Sequence, residues 1–367
     1  MSQYKNVIVI SIISILLFGL SFICFFKKAD EFSESERRVL AQFPKLTVDT
    51  ILSGDFMAEF ETYTTDQFPA RDAFRTLKAV FTLGVFRQKD NNDYYIKDNH
   101  ISKLEYPLNE PMLQHASERF WYLYDTYMKD TNVKLYFSIV PDKNYFLAKE
   151  NGYLSIDYMG LIEFMKHQTN YMKYIDVTNL LELEDYYRTD THWKQEKVLD
   201  VANELAKQME VNLVEEYEIN TLDVPFYGVY YGQMALPVKP DTLQYLMNDT
   251  LKNCIVTSYS TGMPKEKTIY DMEKAYGKDA YEMFLSGTEA LITIENPMAS
   301  TDKELILFRD SFGSSIAPLF VEAYKKITLV DIRYVQSSMV GNFVEFDNQD
   351  VLFLYSTMLL NNSLALK

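Results

Sequence analysis

The chain has 367 residues, a formal charge of −16 and 15% aromatic residues, among them 28 tyrosines. That length and apolar content predict a folded protein with a sizeable core rather than a disordered one. The charge excludes nucleic acid or an anionic lipid surface as a main partner, since both would be repelled.

Val7–Phe26 (VIVISIISILLFGLSFICFF) is about 20 uncharged residues, long enough to cross a bilayer as a helix. No small-x-small site follows it, so it reads as an uncleaved signal anchor over residues 1–28, holding the protein to the lipid bilayer through residues 7–26. Lys27, Lys28, Arg37 and Arg38 behind it, against Lys5 before it, favour a cytoplasmic C-terminal side by the charge count alone. Cys24 lies inside this run and Cys254 far from it, so no disulfide framework is expected.

Residues 29–110 form a lead-in. Leu52–Phe68 and Ala73–Phe86 have amphipathic helical spacing, and Tyr94–Ser102 alternates as a hairpin with Asp98-Asn99 at its turn. From Pro111 strands and helices alternate: helix Met112–Lys129, strand Val133–Val140, helix Ile156–His167, strand Tyr171–Val177, helix Lys194–Met209. Residues 212–290 depart from that pattern and read as an insertion forming a wall of the cleft. Leu291–Glu295, Leu305–Phe308, Ile327–Ile332 and Val351–Tyr355 are the closing strands. The alternation predicts an α/β domain over 111–367 with a mostly parallel sheet covered on both faces. In such sheets chemistry gathers beyond the strand C-termini.

Two stretches carry chemistry. In Glu304–Phe320 (ELILFRDSFGSSIAPLF) a buried strand stops at Arg309-Asp310-Ser311 and a helix follows. A serine at such a turn can attack a carbonyl while nearby amides hold the oxyanion. Equally, Asp310 or Ser311 is a plain helix cap. In Tyr187–Trp193 (YRTDTHW), read as extended, Asp190 and His192 project to one side, as a carboxylate orienting an imidazole would require. The plain alternative is a surface turn with a capping aspartate. Asn296, directly after a strand, either donates to an oxyanion or makes a turn with Pro297. Tyr227 and Tyr231 either stack on a sugar or pack. No Cys/His cluster has zinc spacing and no glycine-rich phosphate loop is present, so no metal or cofactor is expected.

TDTHW followed over a hundred residues later by strand–DSF–helix resembles the DHHW-motif family and the related alginate O-acetyltransferase-type proteins of the SGNH hydrolase-like superfamily. Further segments carry the likeness: Ser33–Pro44, Asp66–Asp72 (DQFPARD), Val140–Lys143, the aromatic Gly segment Phe226–Gly232, the turn Pro240-Asp241-Thr242-Leu243, and Asp331–Tyr334. Thr191 stands where the signature has its first histidine. The resemblance implies an SGNH hydrolase-like sheet, with Ser311 as nucleophile, His192 as general base and Asp190 as its orienting acid. It also implies a polysaccharide substrate contacted by Tyr227, Tyr231, Arg333 and Asn296. A membrane-bound O-acyltransferase would be the acyl donor, and the domain would lie on the extracytoplasmic side, opposite to the charge count. Transfer and ester hydrolysis both fit, as does a non-catalytic polysaccharide-binding or assembly protein that kept the fold.

Overall fold

The computed structural model describes residues 2–213 and 216–367, so Val214 and Glu215 of the expected insertion lie outside the described residues. The chain divides into two compact units, one of residues 1–92 with 231–238, the other of 93–230 with 239–367.

The larger unit is a mixed α/β fold around one eight-stranded sheet. In chain order its strands are β1 (Lys134–Val140), β2 (Lys173–Tyr174), β3 (Ile255–Ser258) and β4 (Lys265–Lys267), then β5 (Leu291–Glu295), β6 (Glu304–Arg309), β7 (Lys326–Val330) and β8 (Asp350–Ser356). Their spatial order is β4-β3-β5-β7-β6-β8-β1-β2. The five strands from β7 to β2 are parallel, while β5 runs antiparallel to both β7 and β3, and β4 antiparallel to β3. Residues 212–290, expected as an insertion, supply β3 and β4, which lengthen the sheet. They also hold both strands of a separate antiparallel pair, Glu218–Phe226 with Asp241–Met247. Short polar strands such as Lys265–Lys267 leave no apolar run to read, which is why the spacing missed them.

The central strands carry apolar runs such as Leu305–Phe308 with no polar alternation, because both faces are covered. Leu305 and Leu307 pack on one side with Trp193, Leu205 and Phe320. Ile306 and Phe308 pack on the other with Phe120, Leu161 and Phe353. Helices Leu199–Gln208 and Tyr158–Gln168 supply the cover, together with Glu110–Leu123 and the 3-10 segment Ala317–Ala323. The Tyr94–Lys97 and His100–Lys103 hairpin turns through Asp98 (φ 48°) and Asn99 (φ 61°), the double positive φ of a two-residue type I′ loop. The strand expected over Tyr171–Val177 shrinks to Lys173–Tyr174, and the helix expected from Lys194 starts at Leu199 behind a 3-10 turn, Gln195–Lys197.

The smaller unit begins with one helix, Tyr4–Cys24, long and apolar enough to cross a membrane, with a mean hydropathy of 2.9. Behind it the two motif segments of the lead-in pair with each other. Arg38 reaches both oxygens of Asp66 (2.8 and 2.5 Å), Ala41 N–H donates to Asp66 Oδ2 (2.9 Å), and Arg71 pairs with Glu36. Arg71 thus has a structural use. The helix expected over Leu52–Phe68 breaks at Gly54, where φ is +86° and the chain restarts as Asp55–Asp66. Residues 231–238 fasten into this unit through Arg75 Nη2 to Gly232 O (2.8 Å) and Asn91 Nδ2 to Met234 O (3.0 Å).

Candidate active site

Strand β6 ends at Arg309, and two residues on Ser311 takes the N-cap position of the helix Phe312–Ile316, with an unstrained backbone (φ −64°, ψ −21°). Its hydroxyl caps nothing: no hydrogen bond joins it to its own helix. The carboxylate of Asp310 does that work. Asp310 Oδ1 accepts from Phe312 N–H (3.0 Å) and Oδ2 from Ser356 N–H (2.9 Å), tying the end of β6 to the end of β8. Gly313 N–H is held by Asp310 O (3.1 Å), so these first-turn amides, expected to be open to an oxyanion, are already engaged.

Ser311 Oγ lies 2.7 Å from His192 Nε2, and His192 Nδ1 lies 2.6 Å from Asp190 Oδ1. The segment that carries both is a tight loop, not the extended stretch the spacing suggested. Tyr187 N–H bonds to His192 O (3.0 Å), and Tyr186 and Trp193 bridge its base. Asp190 and His192 meet because Asp190 Oδ1 also accepts the His192 backbone N–H (3.1 Å). Asp190 Oδ2 accepts Val229 N–H (2.8 Å). That last bond needs the neighbouring backbone close, and a Cβ on Gly228 would fall inside contact distance of Asp190 Cβ and backbone.

The imidazole is clamped between rings. Tyr281 stacks on it at 3.7 Å and 4° between planes, and Phe312 leans on it at 5.0 Å. Burial pushes the Tyr281 phenol well above its ordinary pKa, so it stays neutral, and its hydroxyl bonds to Ser315 Oγ (2.9 Å). Trp193 Nε1 donates to the same Ser315 Oγ (2.9 Å), and Gln195 Nε2 donates to Ser315 O (2.7 Å). The histidine segment and the serine helix are therefore fastened to each other beside the Ser311–His192 contact as well as through it.

Below the loop, Asp241 of the P-D-T-L turn accepts from Arg188 N–H (2.9 Å), Thr189 N–H (2.7 Å) and the Thr189 hydroxyl (2.6 Å). The buried ammonium of Lys143, on the helix after β1, donates to Tyr187 O (2.9 Å) and Arg188 O (3.3 Å). Burial brings the Lys143 pKa down to about 7, against the pull of Asp190 and Asp241. Burial likewise raises Asp142 to about 6, although Thr357 and Tyr158 donate to it. Thr191, in the place of the signature histidine, accepts from Tyr230 OH (3.0 Å).

The other expected site residues fare differently. Arg333 follows β7 on the same C-terminal edge as Ser311, where its guanidinium is clamped by both oxygens of Asp331 (2.9 and 2.6 Å). Tyr227 is 42% exposed beside Gly228. Tyr231 belongs to the smaller unit. Asn296 is not brought to the serine. Because β5 runs antiparallel, its end lies against Lys326, the beginning of β7, at the opposite edge of the sheet. There the Asn296 amide donates to Val321 O (2.9 Å) and accepts Met298 N–H (2.9 Å), a turn-making role. Sequence reasoning missed Tyr281, one of many tyrosines in a segment without pattern. It also missed Lys143 and Asp241, which stood within recognised segments but had no assigned partner. Among the described residues, no cluster of three or more His, Cys, Asp or Glu side chains is placed to hold a metal ion.

The class of protein this defines is an α/β fold whose strand C-termini gather a serine, an imidazole and a carboxylate into one hydrogen-bonded line. Over residues 160–330 the chain matches the family model described as DHHW protein, which bears out its relationship to the DHHW family. It is similar to a DHHW family protein from Eubacterium siraeum DSM 15702, with a TM-score of 0.61 at 20% identity over 76% of this chain and 95% of that one. It is also similar to Bacillus cereus PatB1, with a TM-score of 0.57 at 16% identity over 73% of this chain and 96% of that one. At such identities the likeness is one of fold. No curated protein sequence matches the chain.

Proposed function

We propose that the protein is a membrane-anchored, extracytoplasmic O-acyl transferase or esterase, acting on a cell-surface or exported polysaccharide through Ser311, His192 and Asp190 on an SGNH hydrolase-like sheet. The observation that carries this reading is the continuous line Asp190 Oδ1–His192 Nδ1 and His192 Nε2–Ser311 Oγ, at 2.6 and 2.7 Å. A surface turn with a capping aspartate would not need the second contact, and a capping serine would turn its hydroxyl to its own helix.

In the proposed reaction His192 Nε2 takes the Ser311 proton as Oγ attacks the acyl carbonyl. Asp190 holds the Nδ1–H tautomer and stabilises the imidazolium that forms. His192 then protonates the leaving oxygen, leaving an acyl-serine. Water or a sugar hydroxyl, deprotonated by the same imidazole, attacks that ester in the second half and frees Ser311. An O-acetyl group is the acyl group that the family resemblance favours, drawn from a membrane-bound O-acyltransferase partner. Tyr227 and Arg333 are the side chains we assign to the sugar.

The test is turnover of 4-nitrophenyl acetate, with Ser311→Ala and His192→Ala beside the native protein. We expect each variant to lose activity by on the order of 10³-fold or more while keeping its circular dichroism and melting temperature. Mass spectrometry after a serine-directed sulfonyl fluoride should find the adduct on Ser311. Equal turnover by S311A, with glycan binding retained, would leave a polysaccharide-binding protein in its place.

A further inference from the structure

The smaller unit exposes large hydrophobic side chains more densely than the larger one. Among the described residues beyond the N-terminal span, fourteen exposed large hydrophobic side chains fall between Phe32 and Phe86, against seventeen in the whole of the chain from Tyr106 onward. The helix Arg71–Val80 and the π-helical turn Phe81–Val85 that continues it show how this arises. Arg75, which donates to Gly232 O, and the buried Ala79 lie on one side of the helix. The opposite side presents Phe74, Leu77, Phe81 and Val85, between 43% and 59% exposed. Those positions recur at i, i+3, i+7 and i+11, so they form one half-exposed stripe, in which Phe68 meets Phe74 edge-on (5.4 Å) and Phe86 lies by Phe81 (6.4 Å). Lys78 flanks the stripe and Arg87 and Lys89 follow it, all three exposed.

Charge sets this region apart. Residues 1–92 hold eleven Lys and Arg and eleven Asp and Glu, so the whole formal −16 belongs to residues 93–367. The repulsion from a bilayer that the total charge predicts therefore does not apply here. The span Tyr4–Cys24 belongs to this same unit.

We propose that the stripe Phe74–Leu77–Phe81–Val85 lies in the interface of the bilayer that the N-terminal helix crosses, as a second, in-plane membrane contact. Its apolar side would sink to the headgroup–acyl boundary, with Lys78, Arg87 and Lys89 at the phosphates. The proposal rests on the anchor reading above. It gives a neutral, membrane-lying base to a unit whose neighbour in the chain is strongly acidic.

The test uses the full-length protein in phosphatidylcholine–phosphatidylglycerol vesicles, with Cys254→Ser throughout. Single spin labels are placed at native Cys24, and, with Cys24→Ser, at Leu77→Cys, Phe81→Cys or Met263→Cys, the last an exposed site in the larger unit. We expect labels at 77 and 81 to collide with oxygen and be shielded from a water-soluble nickel chelate by about tenfold relative to the label at 263. Water accessibility at 77 and 81 equal to that at 263 would overturn the proposal. So would shielding from both reagents, which would mean that a second copy of the chain covers the stripe. The Cys24 label reports on the span separately: a membrane-buried Cys24 with water-exposed 77 and 81 rejects only the in-plane contact, and an aqueous Cys24 rejects the anchor itself.

Discussion

Both oxygens of Asp190 are committed, Oδ1 to the imidazole and amide of His192 and Oδ2 to Val229 N–H. Asp190→Asn keeps the shape but offers an N–H where an acceptor is needed, so the histidine loses its working tautomer. We expect 4-nitrophenyl acetate turnover to fall by roughly 10³- to 10⁴-fold with little change in melting temperature. Gly228→Ala should lower turnover differently, through displacement of the loop, because its methyl would overlap the Asp190 backbone; a fall in melting temperature should accompany it. Lys143 gives a pH signature. Its folded pKa of about 7 lies below the ordinary 10.5, so between those values the unfolded chain holds a proton that the folded one does not. Stability should therefore rise with pH from 7 toward 10, and this gain should vanish in Lys143→Met. Urea melts of both proteins at pH 7.5 and 9.5 check it, and a parallel rise in the variant would deny the buried lysine this role.

At the scale of elements, the site is a junction between the loop Tyr187–Trp193 and the helix that starts behind Ser311. Gln195 is a main fastener. It is fully buried, donates to Ser315 O (2.7 Å), and accepts from Leu246 N–H (2.8 Å) and Tyr270 OH (3.1 Å). Gln195→Leu takes this side-chain partner from the buried Leu246 N–H and Ser315 O, while Tyr270 OH keeps Leu246 O (2.7 Å), at a cost of about 2–4 kcal/mol. Chemical denaturation should register that loss, together with reduced turnover as His192 and Ser311 drift apart. In the smaller unit the same logic applies to Asp66, which holds Arg38 and Ala41 N–H. Asp66→Ala should open the lead-in to proteolysis between residues 30 and 70. Were the cleavage pattern of that variant native-like, the Arg38–Asp66 pair would be dispensable.

At the scale of the whole molecule, an apolar N-terminal helix and a nearly neutral first unit precede an acidic α/β unit. If the helix anchors the chain, alkaline carbonate should leave the full-length protein in the membrane pellet and only detergent should release it. Protease added to intact cells should digest the acidic unit if it lies outside, and protection would reverse the orientation proposed.

What the sequence determined by itself was local. Apolar runs such as Leu305–Phe308 announced strands buried on both faces, Asp98-Asn99 announced a hairpin turn, and Asp190 and His192, two residues apart, were already neighbours. The lead-in motifs were legible too, but not their reason, since Arg38 and Asp66 pair across intervening chain. Tertiary structure decided what depends on separation and direction. His192 and Ser311 are 119 residues apart and meet only because the loop and β6 end at one sheet edge. Asn296 follows a strand just as plainly, yet an antiparallel β5 carries it to the other edge, and no spacing in the sequence records which way a strand runs.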